Sequence, residues 1–281
     1  MRDRSPIRMQ TMKQEVCAVV DRSGSMTGKE DDTLGGLNSA FEQLKKDVGK
    51  DETVKVSVRL FDHDETVLHN RVNLDKLPKL TRDDYVPRGQ TALLDALGNA
   101  LSYYIYLKKD DSKVFDKCII FVATDGLENA SQKFDRQKVK NMIMQANDLG
   151  IEVVYLGANQ DAILEAAKYG INHNNAINYS ETQDNVEAVF RSAACAATRQ
   201  RTGMSTDFTK AERQASVDVK TYNSTPGDAA FGAPAPIRPR RMQTEVPSHS
   251  GQMVPPPIQR QTSGGRRAAN PGELWLGGGR D

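Results

Sequence analysis

The chain has 281 residues, 38% of them hydrophobic and 27% charged, and its 38 lysines and arginines nearly cancel 37 aspartates and glutamates. That balance argues against a globally basic nucleic-acid binder, and the low apolar share implies that part of the chain packs no core. Three scattered cysteines make no disulfide framework and no apolar run approaches the roughly 18 residues of a membrane span, so the sequence reads as soluble and cytoplasmic.

Residues 1–14 form an arginine-bearing arm that lacks the apolar centre of a secretory signal. Residues 16–20 are continuously apolar and end in Asp21, as a strand covered on both faces would be. Leu34, Leu37, Phe41, Leu44 and Val48 recur at helical spacing, with residues 31–33 as candidate caps. Val54, Val56, Val58 and Leu60 alternate with polar residues, which suits a strand nearer the sheet edge. A turn at residues 62–65 then leads into 66–68 as its hairpin partner. Leu93, Leu97, Leu101 and Ile105 stripe a second helix.

Residues 118–123 form another apolar strand, ending in Thr124, Asp125 and Gly126. Val139, Ile143, Ala146 and Leu149 mark a third helix closed by Gly150, and residues 153–156 a further strand. Helices at 162–169 and 186–198, with a weaker strand at 177–179, complete the alternation. The expected fold is α/β: a mostly parallel sheet, one antiparallel edge strand, and helices on both faces in three layers.

From residue 202 the composition changes, with nine of the 12 prolines in the last 56 residues. Such a stretch buries too little apolar surface to offset its ordering entropy, so residues 202–281 are expected to be a largely disordered tail with a weak helix near 205–222. Trp275, the single tryptophan, lies between Leu274 and Leu276 and is a candidate anchor for a partner.

In such a sheet, ligands gather at the carboxyl ends of the strands where strand order reverses. Two strand ends carry aspartate, Asp21 and Asp125. The first continues through Arg22, Ser23, Gly24 and Ser25, and Thr91 opens the second amphipathic helix. Two carboxylates and three hydroxyls make an oxygen-only site, which suits Mg²⁺, Mn²⁺ or Ca²⁺ rather than zinc. Taken singly, Asp21 fits a loop cap, Thr91 a helix N-cap, and Thr124 to Gly126 an ordinary turn.

The pattern D-x-S-x-S at 21–25, a threonine in G-x-T at Thr91 and T-D-G at 124–126 resemble the metal-ion-dependent adhesion site of von Willebrand factor type A domains. The resemblance runs from about residue 15 to about residue 201 and is nearest in wording to short intracellular bacterial or phage-type members. It implies a Rossmann-like domain over 15–201. It further implies that Ser23, Ser25 and Thr91 touch the ion and that Asp21 and Asp125 act mainly through bound water. The implied function is cation-dependent protein binding, with an acidic partner group completing the ion's shell and no catalysis. Arg22, Asp62, His63, Arg88, Glu128 and Asn129 lie in the surrounding loops and are candidates for partner selectivity.

Two other classes remain open in the sequence. One is a structural component of a virion or other assembly, with the tail as its strap. The other is a Mg²⁺-dependent hydrolase or an accessory subunit of an ATPase-type machine. Against the enzyme, no Walker A loop, G-x-G-x-x-G or G-x-S-x-G elbow follows the first strand, and Ser23 stands where a dehalogenase-type phosphatase needs its second aspartate.

Overall fold

The computed structural model describes residues 11–158 and 161–218; Trp275 and the proline-rich stretch lie outside them. Six strands form one sheet in the order β3-β2-β1-β4-β5-β6. They are β1 (Met12–Asp21), β2 (Glu52–Phe61), β3 (Glu65–Asn73), β4 (Lys117–Thr124), β5 (Ile151–Ala158) and β6 (Ala176–Tyr179). All neighbours run parallel except β2 and β3, an antiparallel hairpin whose register shifts between Val56 and Val58 and again between Val58 and Arg59. The α/β architecture with one antiparallel edge strand is as the alternation of periods predicts.

The helices are α1 (Glu30–Asp47), α2 (Leu93–Asp110), α3 (Arg136–Asp148), α4 (Ala162–Lys168), α5 (Gln183–Arg201) and α6 (Lys210–Ala215). Because successive strand residues point to opposite faces, each central strand feeds two cores. Val16, Ala18 and Val20 pack with Leu37, Phe41 and Leu44 of α1 and Val189, Phe190 and Ala197 of α5. Cys17 and Val19 pack with Leu97, Leu101 and Tyr104 of α2 and Val139 and Ile143 of α3. Cys17 and Cys118 are buried here as small apolar residues, and burial pushes the Cys17 thiol up to about 12.

Four sequence expectations shift. First, α1 begins at Glu30 with Lys29 as its N-cap, so residues 31–33 lie inside the first turn and do not cap it. Second, β2 lies next to the edge strand as expected, but its alternation comes from buried polar residues and not from an exposed face. Ser57 accepts from the Tyr104 hydroxyl at 2.8 Å, and Arg59 donates to Glu65 at 2.8 Å while stacking over the Tyr103 ring.

Third, β1 starts before residue 15: Gln14 is buried and its amide donates to the Ala197 carbonyl at 2.7 Å. Fourth, packing continues past residue 201. Phe208 and Val217 are buried, and the weak helix expected near 205–222 shortens to α6, closed at its start by a Thr209–Glu212 capping box. Residues 206–218 lie along β6. Arg213 donates to the Ala176 carbonyl, the Ser180 N–H donates to the Ser216 carbonyl, and the Asp218 N–H donates to the Ser180 hydroxyl.

Candidate metal centre

The parallel strands β1 and β4 are neighbours, so Asp21 at the end of one and Asp125 just after the other emerge side by side. The loop leaving β1 turns at once into a single 3-10 turn, Gly24–Met26, so that Ser23 and Ser25 fold back toward the sheet. Their hydroxyls lie 3.1 Å apart. Ser25 Oγ donates to Asp125 Oδ1 at 2.6 Å, within the range of a charge-assisted O–H···O bond.

Asp21 is fully buried, and both its oxygens are occupied. Oδ1 accepts from the Ser23 N–H and Oδ2 from the Thr124 hydroxyl, each at 2.6 Å. Burial pushes its carboxyl up to about 6, against the pull of these bonds. Tyr85, buried beneath, donates to the Asp21 carbonyl, and burial raises its hydroxyl pKa as well.

Thr91 is buried just before α2, whose N-cap is Ala92 and makes no side-chain cap bond, so the Thr91 hydroxyl does not serve the helix end. It faces Gly126 instead. A Cβ placed on Gly126 would come within 3.0 Å of Thr91 Oγ1 and 3.7 Å of Ser25 Oγ. The structure thus brings all five sequence-predicted oxygen donors to one edge of the sheet, where a methyl group at Gly126 would crowd Thr91.

The donor set fits a small hard cation. Adjacent ligands at about 2.1 Å from an octahedral ion stand roughly 3.0 Å apart, close to the 3.1 Å between the two serine hydroxyls. A hydroxyl that offers a lone pair to an ion must direct its proton elsewhere, and Ser25 directs its own to Asp125. All the donors are oxygens, as Mg²⁺ and Mn²⁺ prefer.

The surrounding loops are tied to one another. Gly24 N–H donates to the Gly89 carbonyl, Arg88 N–H to the Arg22 carbonyl, Ala92 N–H to the Asp62 carbonyl and Asn129 N–H to the Thr91 carbonyl. Gly89 sits at φ +67° with the His63 ring against it, so a side chain there would be both strained and blocked.

Of the expected rim residues, Asp62 is fully buried, its Oδ2 accepting from Arg22 and Arg88 at 2.9 Å each. Its burial is outweighed by the Asp64 N–H and the two guanidiniums, which hold its carboxyl below the usual range. Glu128 accepts from Leu94 N, Ala130 N, Ser131 N and Ser131 Oγ, binding its own loop to the start of α2. Asn129 Oδ1 accepts from Thr91 N at 2.9 Å. These three hold loops in place, whereas His63 and Arg88 are half-exposed. Asp62, His63 and Asp64 bring ligand atoms within 4.8 Å of one another, but a cation there would face the two guanidiniums on Asp62.

Two residues at the centre escaped the sequence reading, and Thr124, though part of the T-D-G pattern, was given no role of its own. Lys29 Nζ donates to Asp125 Oδ2 at 2.5 Å and also to Glu181, just past the end of β6. Nothing in sequence spacing pairs residues 29 and 181. Glu181 does follow a strand's carboxyl end, the same signal that singled out Asp21, but no recognised motif surrounds it.

No model of a known protein family matches the chain, and no curated protein matches it. Solved structures do. Proximal thread matrix protein 1 from the mussel byssus matches at 15% identity and TM-score 0.48, covering 67% of this chain and 47% of its own. A von Willebrand factor type A protein from Catenulispora acidiphila matches at 12% and 0.49, covering 66% and 43%. The von Willebrand domain of the pilus tip protein Mfa5 from Porphyromonas gingivalis matches at 12% and 0.49, covering 66% and 95%. This chain therefore spans less than half the length of the first two. None of the three scores reaches 0.5, and the fold assignment rests on the strand order and the two packed faces.

Proposed function

We propose that this chain is a divalent-cation-dependent protein-binding module that carries a complete adhesion-type metal site and catalyses no reaction of its own. Ser23, Ser25 and Thr91 would hold Mg²⁺ or Mn²⁺ directly, with Asp21 and Asp125 behind them. The carrying observation is the hydroxyl–carboxylate cluster in which Ser23 Oγ lies 3.1 Å from Ser25 Oγ and Ser25 donates to Asp125. The bound ion would supply a Lewis-acidic position for a carboxylate from a partner protein. Neutral hydroxyls next to the ion leave its charge largely uncompensated, which favours an anionic partner group.

The chain's own residues prepare that position. Asp21 fixes the serine loop through the Ser23 N–H and locks it to β4 through Thr124. Asn129 clasps the Thr91 backbone from both sides. The exposed His63 and Arg88 stand nearby to meet a partner. A binder is preferred to a hydrolase because the serines are engaged with carboxylates and with one another, and neither faces a histidine base in the bonds they make.

The test is calorimetric titration of Mg²⁺ and Mn²⁺ into the wild type and a Ser23→Ala/Ser25→Ala variant, followed by partner capture with and without EDTA. Ion binding lost in the variant, and capture lost in EDTA, would support the reading. Capture undiminished in EDTA, with circular dichroism showing folded protein, would overturn it.

A further inference from the structure

Lys29 stands at the N-cap of α1, a position that prefers a hydroxyl or carboxylate able to accept from the free N–H groups of the first turn. It makes no side-chain cap bond, and its charge adjoins the positive end of the helix dipole. The residue works against the local preference of its position, and what it does instead is reach across the metal edge. Its ammonium bridges Asp125 Oδ2 and Glu181 Oε1.

Both ends of this bridge are anchored. The Lys29 N–H donates to the Met26 carbonyl and the Lys29 carbonyl accepts from Thr33, so its stem leaves a fixed point next to the serine loop. Beside Glu181, the Ser180 N–H donates to the Ser216 carbonyl. The Asp125 side chain is 2% exposed, whereas those of Lys29 and Glu181 are 27% and 25% exposed. The ammonium therefore spans from a buried carboxylate to a partly exposed one.

The geometry points to Lys29 as a tethered competitor of the divalent ion for Asp125, with Glu181 as the seat that keeps the ammonium once the ion takes Asp125. This rests on the ion site proposed above. An ammonium and a divalent ion that share one buried carboxylate, the ion through its bound water, repel strongly, and one of them must yield. The lysine can yield because its stem is flexible and its second carboxylate lies toward solvent. The device sets a threshold for ion binding without altering any ion ligand.

The test titrates Mg²⁺ and Mn²⁺ calorimetrically into the full chain as wild type, Lys29→Met, Glu181→Gln and the double variant. Lys29→Met should tighten ion binding by about tenfold or more, because a positive charge beside the ion is removed. It should also enlarge the rise in melting temperature that Mg²⁺ produces, since Asp125 then depends on the ion for a counter-charge. Glu181→Gln should weaken ion binding several-fold with Lys29 present and much less in the Lys29→Met background. Lys29→Gln, which can still donate to Asp125, covers the case in which Lys29→Met does not fold.

Unchanged or weaker ion binding in both Lys29 variants would refute the competitor. An equal Glu181→Gln effect in both backgrounds would refute the seat, since Glu181 would then act on the ion directly. Absence of ion binding in the wild type and in every variant would instead remove the metal site itself, and the competitor with it.

Discussion

Gly126 leaves little space for a larger residue beside the proposed ion site. Its φ lies outside the left-handed region, so alanine is allowed by the backbone, yet the added methyl would sit 3.0 Å from Thr91 Oγ1. Gly126→Ala should therefore lower Mg²⁺ affinity by about tenfold while shifting stability by less than about 1 kcal/mol. Titration calorimetry and urea denaturation on the same sample separate the two effects, and equal affinities would mean that Thr91 is not a ligand. Glu15 offers a different residue-scale test. It is 2% exposed, its Oε2 has no hydrogen-bond partner, and burial raises its carboxyl pKa despite the bonds from Arg71 to Oε1. A raised carboxylate favours the fold only while protonated: its contribution is complete below the unfolded value of 4.5 and is lost as pH rises through the folded value. Glu15→Gln keeps the acceptor for Arg71 and removes the buried charge. The variant should be more stable than wild type at pH 7, by about 1 kcal/mol, and this advantage should vanish near pH 4. Urea midpoints at the two pH values decide it.

At the scale of elements, α1 and α5 lie close together on one face because glycine makes room for a ring. A Cβ on Gly36 would fall 2.5 Å from Phe190, which is itself buried and packs edge-on against Phe121 at 6.3 Å. The ring has nowhere to swing. Gly36→Ala gains roughly 1 kcal/mol of helix propensity, but the overlap should cost about 2–3 kcal/mol because the buried Phe190 ring is met at 2.5 Å, so the net change is destabilising. Adding Phe190→Leu should recover part of that loss, and a double-mutant cycle of thermal melts measures it. The elements themselves were largely legible because buried parallel strands are short apolar runs and the helices are striped at 3.6. Where the reading slipped, long-range polar contacts had replaced the expected local signal. The start of α1 was placed late because Lys29 occupies its cap for the sake of Asp125. β2 does lie next to the edge strand, but its alternation has another cause than the one read: Ser57 and Arg59 are polar yet buried by partners on α2 and β3. The oxygen donors were legible because they recur in a fixed local order, whereas Lys29 and Glu181 meet only through the fold.

For the whole molecule, the two cores would make the proposed ion a guest rather than a staple. Each is assembled from the apolar faces of the central strands and the helices covering them, and neither includes a proposed ion ligand. Asp125→Ala should accordingly lower ion affinity about tenfold or more and abolish cation-dependent capture while the far-ultraviolet circular dichroism and the cooperativity of unfolding persist. Loss of cooperative unfolding in that variant would show that the metal edge supports the fold.

The segment along β6 carries a consequence for solubility. An open sheet has two unpaired borders, and each invites another chain to add a strand. Here the β3 border is broken by its register shifts and by Arg71 at φ 52°, an irregularity that spoils a flat template. The β6 border is met at its two ends instead, the Ala176 carbonyl by Arg213 and the N–H of Ser180, just past the strand, by the Ser216 carbonyl. A chain cut after residue 201, as composition alone would suggest, would bare that second border. It should self-associate at concentrations where a chain ending at residue 218 stays monodisperse in light scattering, and charged substitutions on β6 should reverse the effect.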